Sequence, residues 1–175
     1  MGKPMGGEHR MMINFIRERR KFFVCCLFAI LTLLWTMVIF AQSAKNGEQS
    51  SDDSNKVVEF IENIAERIDP DIRVSSFAVR KLAHFSEYLL LGFLAALFMG
   101  IADGRRLYIG AWIYAVSVAF CDEFAIQRFS EGRAPQFTDV LIDSAGALAG
   151  VLFALGLFCV IHWTKTRKMN TRNEI

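Results

Sequence analysis

The chain has 175 residues, enough for one domain, but 53% of it is hydrophobic, only 22% is charged, and it holds 16 phenylalanines. With a mean hydropathy of +0.30, this is the composition of a membrane protein and not of a soluble domain. The formal net charge of +2 provides no overall basic field, so nucleic acid is not an expected partner.

In chain order, residues 1–21 form a basic N-terminal segment ending in "RERRK". Residues 22–42, "FFVCCLFAILTLLWTMVIFAQ", carry no charge and match the roughly 20 apolar residues a helix needs to cross the hydrocarbon core. Small residues at Ala41 and Ser43 also suit a signal-peptide cleavage site, but the apolar part is longer than a signal core, which favours an uncleaved span. Cys25 and Cys26 lie inside this run, Cys159 inside a later one and Cys121 at the edge of another. The four therefore read as small buried hydrophobes and not as a disulfide framework. The adjacent pair is also placed for palmitoylation near the membrane interface.

Residues 43–77 are polar. "SAKNGEQSSDDSN" reads as a flexible loop, and residues 56–69 as an amphipathic helix with Val57, Val58, Ile61, Ile64, Ala65 and Ile68 on one face, lying on the membrane or against the bundle. Pro70 helps to end it. Residues 78–164 hold three more spans, at about 81–102, 107–126 and 139–163, and residues 165–175 form a tail. The expected fold is all-α, with four transmembrane helices plus the short extracytoplasmic helix.

Basic residues flank the same side of these spans: Arg17, Arg19, Arg20 and Lys21, then Arg105 and Arg106, then Lys165, Arg167 and Lys168. By the positive-inside rule both termini are cytoplasmic in a cell membrane. Arg80, Lys81, Arg128 and Arg133 fall on the other side, so the bias is moderate.

That topology brings six ionisable residues to one level. His84 and Glu87 lie at the outer end of span two, Asp122 and Glu123 at that of span three, Asp139 and Asp143 at that of span four. The apolar parts of spans two and three are short, so these groups are drawn inside the membrane boundary, where an ionisable group must pair or face a wet cavity. Helical spacing turns them inward. Asp139, Asp143, Gly146 and Gly150 share one face, as do Ala111, Ala115, Ala119 and Glu123, and His84, Glu87, Leu91 and Ala95; Gly146 and Gly150 make a close-packing GxxxG pair. Three readings follow: a self-paired cluster that locks the bundle; a divalent metal site of His84, Glu87, Asp122 and Asp139, although one histidine without HxxxH or HExxH spacing is a thin signal; or a site for a polar headgroup, with arginines on the anion and His84 or a carboxylate moving protons.

"KLAHFSEYLLLGFL" followed by "DEFAIQRFSEGRAPQFTDVLIDSAGALAG" resembles the VanZ-like family of small bacterial membrane proteins, named for a member associated with teicoplanin resistance. The resemblance covers about residues 78–155 and rests on His84, Phe85, Glu87, Tyr88 and Gly92, then Asp122, Glu123, Gln127, Phe129, Gly132, Arg133, Asp139, Asp143 and Gly146. It departs at Asp143, where asparagine is common, and at Ala134 and Pro135, where small hydroxyl residues are. It implies action at the outer envelope surface, with a membrane lipid or lipid-linked precursor as partner. On this reading His84, Glu87, Asp122 and Glu123 are the candidate catalytic residues, and Lys81, Gln127, Arg128, Arg133, Asp139 and Asp143 the candidate ligand-binding residues. Enzyme and non-enzymatic binding or shielding protein both remain open.

Overall fold

The computed structural model describes residues 7–65, 74–103, 107–132 and 134–173, and all of its regular structure is helical. Four stretches are long and apolar enough to cross a membrane: Arg10–Ser43, Ser76–Ala102, Tyr108–Phe129 and Phe137–Arg167. The expected all-α, four-span architecture is therefore present. Ile68, Pro70, Arg105, Arg106 and Arg133, each assigned a part in the expectations above, lie outside the described residues.

Helix α1 runs Gly7–Ser43 without a break, so the basic segment and the first apolar span are one continuous helix. Between Glu8 and Ser43 there is no glycine or proline, and the basic segment is rich in Arg, Glu and Met, which favour helix. Its 37 residues reach about 55 Å against a core of roughly 30 Å, so the first turns project beyond the apolar span.

Helix α2 runs Gly47–Ala65 and begins inside the stretch expected to be a flexible loop. The reason is a cap: the backbone N–H of Gln49 donates to Asn46 Oδ1 at 2.8 Å, which satisfies one of the donors left open at a helix start. The expected apolar face also splits. Val58 and Ile61 are half-buried, whereas Val57 and Ile64 are exposed.

Helices α3 (Ser76–Asp103) and α5 (Phe137–Asn173) make the most extensive contact in the bundle, and α3 also touches α1, α2 and α4. Their seam is built on glycine. A Cβ at Gly92 would come within 2.2 Å of the Ala147 carbonyl oxygen, and one at Gly146 within 2.3 Å of that of Phe85. The GxxxG stripe thus meets α3, and the missing side chains let two backbones touch. The alanine stripes also face inward: Ala95, Ala111, Ala115 and Ala119 are all buried.

Helix α4 is regular only over Tyr108–Cys121. It continues as a π turn, Asp122–Ile126, and a 3-10 turn, Gln127–Phe129. Fourteen α-helical residues reach only about 21 Å, so the irregular turns complete the crossing. Large apolar side chains such as Phe22, Leu34, Ile113, Leu152 and Phe153 cover the outside, as lipid-facing surface requires. Cys121 and Cys159 are exposed there as well, contrary to their expected burial.

Candidate functional site

One end of the bundle collects the C-terminus of α1, the start of α2, the first turns of α3, the irregular end of α4 and the start of α5. His84 sits two turns inside α3, because that helix begins at Ser76. His84, Asp122, Glu123, Asp139 and Asp143 are all buried, and Asp122 and Asp143 are fully so. Five of the six ionisable residues expected to turn inward are thus buried, and the sixth, Glu87, is half-buried.

They do not form one cluster. The innermost group is His84, Asp122 and Asp143, each offering a ligand atom within 4.8 Å of the others. His84 Nδ1 lies 3.6 Å from Asp143 Oδ1. Two donors converge on one oxygen of Asp122: Ser43 Oγ at 2.8 Å and Gln127 Nε2 at 3.1 Å. Asp143 is held differently. Neither of its carboxylate oxygens accepts a hydrogen bond among the described residues. Beneath lies the fully buried Tyr88, whose hydroxyl is likewise without a hydrogen-bond partner among them.

The contact from Gln127 depends on the π turn. On an α-helix, residues five apart point in very different directions, but i→i+5 bonding brings them back to one side. The Gln127 backbone N–H donates to the Asp122 carbonyl, and its side chain then reaches the Asp122 carboxylate. A spacing of five carries no α-helical signal, so the sequence placed Gln127 near the site without this partner.

Asp139 and Glu123 do other work. Asp139 takes the ammonium of Lys81 in a close ion pair, so part of the Lys81 charge is already balanced by a protein partner. Glu123 Oε1 accepts the Gln136 N–H at 2.5 Å, which puts a carboxylate at the N-terminus of α5, where the helix dipole favours it. Glu87 is half-buried and lines a cavity together with His84, but it is not one of the three groups whose ligand atoms lie within 4.8 Å of one another. Of the four metal ligands expected from sequence, two, His84 and Asp122, lie in the inner group, and Asp143 takes the place of Glu87 and Asp139.

Two cavities meet at this end. One, of about 200 Å³, is walled by α2 and lined by Ser43, Asp53, Arg80, His84 and Glu87 among others. The other, of about 180 Å³, includes Lys81, Gln127, Gln136 and Asp139. Arg80 and His84 line both. Arg128 lines neither and is exposed, because the 3-10 turn that carries it buries Gln127 on its inner side. Arg80 is the cation the sequence undervalued. Its Nη2 donates to Ser51 Oγ at 2.9 Å, while its buried Nε has no hydrogen-bond partner among the described residues.

The roof is fastened to the site. Gly47 N–H donates to the Glu131 carbonyl at 2.8 Å, and Ser130 Oγ donates to that of Ser43 at 3.2 Å. On α2, Asp53 takes Lys45 in an ion pair at 2.6 Å; this lysine holds the Asp53 carboxyl below its ordinary value.

The VanZ/LLP1 family matches residues 28–161, a stretch that contains every residue of this site. No curated protein and no solved structure matches the chain.

Proposed function

We infer, from the premise that the chain belongs to the VanZ/LLP1 family, that this multi-pass membrane protein binds the anionic headgroup of an envelope lipid or lipid-linked precursor in the paired cavities. The observation that supports this most is Arg80, which lines both cavities and keeps a buried N–H donor open. Guanidinium is the side chain best shaped for phosphate or carboxylate. The second support is position: a polar cavity at the end of a bundle jacketed in apolar side chains is where a headgroup sits while its chains stay in lipid.

The site faces the extracytoplasmic side in this reading, because the basic N-terminal turns of α1 and the Lys165 and Arg167 end of α5 lie at the other end of the bundle. The host is a bacterial cell membrane. Binding there changes how an envelope precursor is presented, and with it susceptibility to glycopeptides such as teicoplanin. His84 and Glu87, on the wall of one cavity, are the groups that would move protons on a bound headgroup if it is also turned over.

Native mass spectrometry of the protein extracted from membranes tests this. A phospholipid or lipid-linked precursor should co-purify, and Arg80→Gln should lower its occupancy by about tenfold or more, the loss expected for a charge-assisted hydrogen bond. Arg128→Gln should leave occupancy unchanged. Equal occupancy in wild type and Arg80→Gln sinks the reading. Retained binding with lost turnover in His84→Gln would favour an enzyme over a shielding protein.

A further inference from the structure

We propose that His84, Asp122 and Asp143 form a site for one divalent metal ion of the zinc or manganese class. The first observation is geometric: one imidazole nitrogen and two carboxylate oxygens, from α3, the end of α4 and α5, lie within 4.8 Å of one another. Ligands about 2.1 Å from a tetrahedral ion stand about 3.4 Å apart, close to the 3.6 Å between His84 Nδ1 and Asp143 Oδ1. Small side-chain rotations close the remainder.

The second observation is independent of that spacing. Asp143 is fully buried, and neither of its oxygens accepts a hydrogen bond among the described residues. A buried carboxylate left in that condition is rare and costs several kcal/mol. Among the described residues, neither cation of the neighbouring turns of α3 makes an ion pair with it: Lys81 is taken by Asp139, and Arg80 donates to Ser51. An imidazolium at His84 would balance one of the two carboxylates, whereas a dication balances both.

The surroundings resemble the outer shell that metal ligands need. Ser43 and Gln127 donate to the same Asp122 oxygen, which fixes the plane of that carboxylate. His84 lines both cavities, so an ion has a route in and keeps a face toward whatever enters. One nitrogen with two oxygens suits zinc, manganese or ferrous iron better than calcium, which takes oxygen alone, or copper(I), which prefers sulfur. Asp143 is decisive here, since an asparagine amide in its place would supply neither the charge nor an anionic oxygen.

The proposal stands apart from the headgroup reading, although a bound dication would add to the charge that a phosphate meets. The full chain, purified in detergent and stripped with chelator, is titrated with zinc chloride and, separately, manganese chloride, then desalted and assayed for metal by mass spectrometry. One ion per chain is expected for at least one of the two metals, with a rise in the thermal unfolding midpoint. Asp143→Asn and His84→Gln should each weaken binding by about tenfold or more, while Glu59→Gln, on the exposed side of α2, should not. Substoichiometric metal in the wild type overturns the proposal, as does unchanged affinity in whichever of the two variants folds. Lipid is measured on the same preparation: metal retained without lipid supports this site and sinks the headgroup reading alone, and lipid without metal does the reverse.

Discussion

Gly150 of α5 lies so close to Leu89 of α3 that a Cβ on it would stand 2.0 Å from the Leu89 carbonyl oxygen. The neighbour is backbone, which cannot rotate away, so any side chain here must push two spans apart. Both helices carry the inner group, His84 on one and Asp143 on the other, and the seam therefore sets the width of the site as well as the stability of the bundle.

Alanine at Gly150 or Gly146 should accordingly be destabilising. Exchanging glycine for alanine inside a helix gains up to about 1 kcal/mol, but overpacking costs about 1–3 kcal/mol, and contact with backbone puts these sites at the upper end. A net loss of about 2 kcal/mol each is expected, read as a lower thermal unfolding midpoint in detergent. Gly156, with nothing within 4 Å of its Cβ position, is the control: Gly156→Ala should leave the midpoint unchanged or raise it.

The pair formed by Lys81 and Asp139 should behave as a mostly buried ion pair, since the two side chains are only 16% and 11% exposed. Lys81→Met leaves a carboxylate without its cation and should cost about 3 kcal/mol, whereas Lys81→Met combined with Asp139→Leu removes both charges and should recover most of it. Thermal unfolding of the two single variants and the double variant gives the cycle. A double variant less stable than either single would mean that Asp139 is held mainly by something other than Lys81.

How much of this was legible in the chain depended on periodicity. The apolar runs, the GxxxG pair on α5 and the inward face of His84, Asp139 and Asp143 all follow from α-helical spacing, and the structure places them as that spacing dictates. What escaped was set by departures from it or by partners distant in sequence. Gln127 reaches Asp122 only through a π turn; Ser43 reaches the same carboxylate from 79 residues away. The start of α2 was legible in principle, because Asn46 followed three residues later by Gln49 is a helix-start signal, but the polar composition around it concealed the signal. The outward direction of Arg128 was also hidden, because a residue next to an inward-facing one in a 3-10 turn faces out, which α-helical spacing does not encode.

The corner between α1 and α2 should respond to acid. Lys45, by hydrogen bond and charge, with Lys56 adding, holds the Asp53 carboxyl below its ordinary value of 3.8. A carboxyl lowered by folding contributes stability that is present above its unfolded value and is lost as pH falls through its folded one. The difference in unfolding midpoint between wild type and Asp53→Asn should therefore be constant at neutral pH and vanish below the ordinary carboxylate range. It should also shrink in high salt, because the pair is solvent-exposed. A difference that persists unchanged in acid would remove Lys45 from the account.

The clasp under α2 can be opened without disturbing the seam. Gly132 has φ +74°, a left-handed conformation that costs a residue with a side chain about 1–2 kcal/mol, and a Cβ at Gly47 would meet the Gly132 carbonyl oxygen at 2.6 Å. Both glycines serve one junction: the Gly47 N–H bonded to Glu131 anchors the start of the helix that walls the larger cavity. Gly132→Val should strain the turn and release that anchor, while the Gly92, Gly146 and Gly150 contacts remain. Digestion with a glutamate-specific protease should then cut α2 at Glu48, Glu59 or Glu62 several times faster than in wild type, with the unfolding midpoint of the bundle lowered by much less than in Gly150→Ala. If α2 also guards the cavity, lipid exchange should accelerate in the same variant. A large drop in midpoint with no gain in cleavage would instead make the turn part of the bundle's core and α2 a fixed wall.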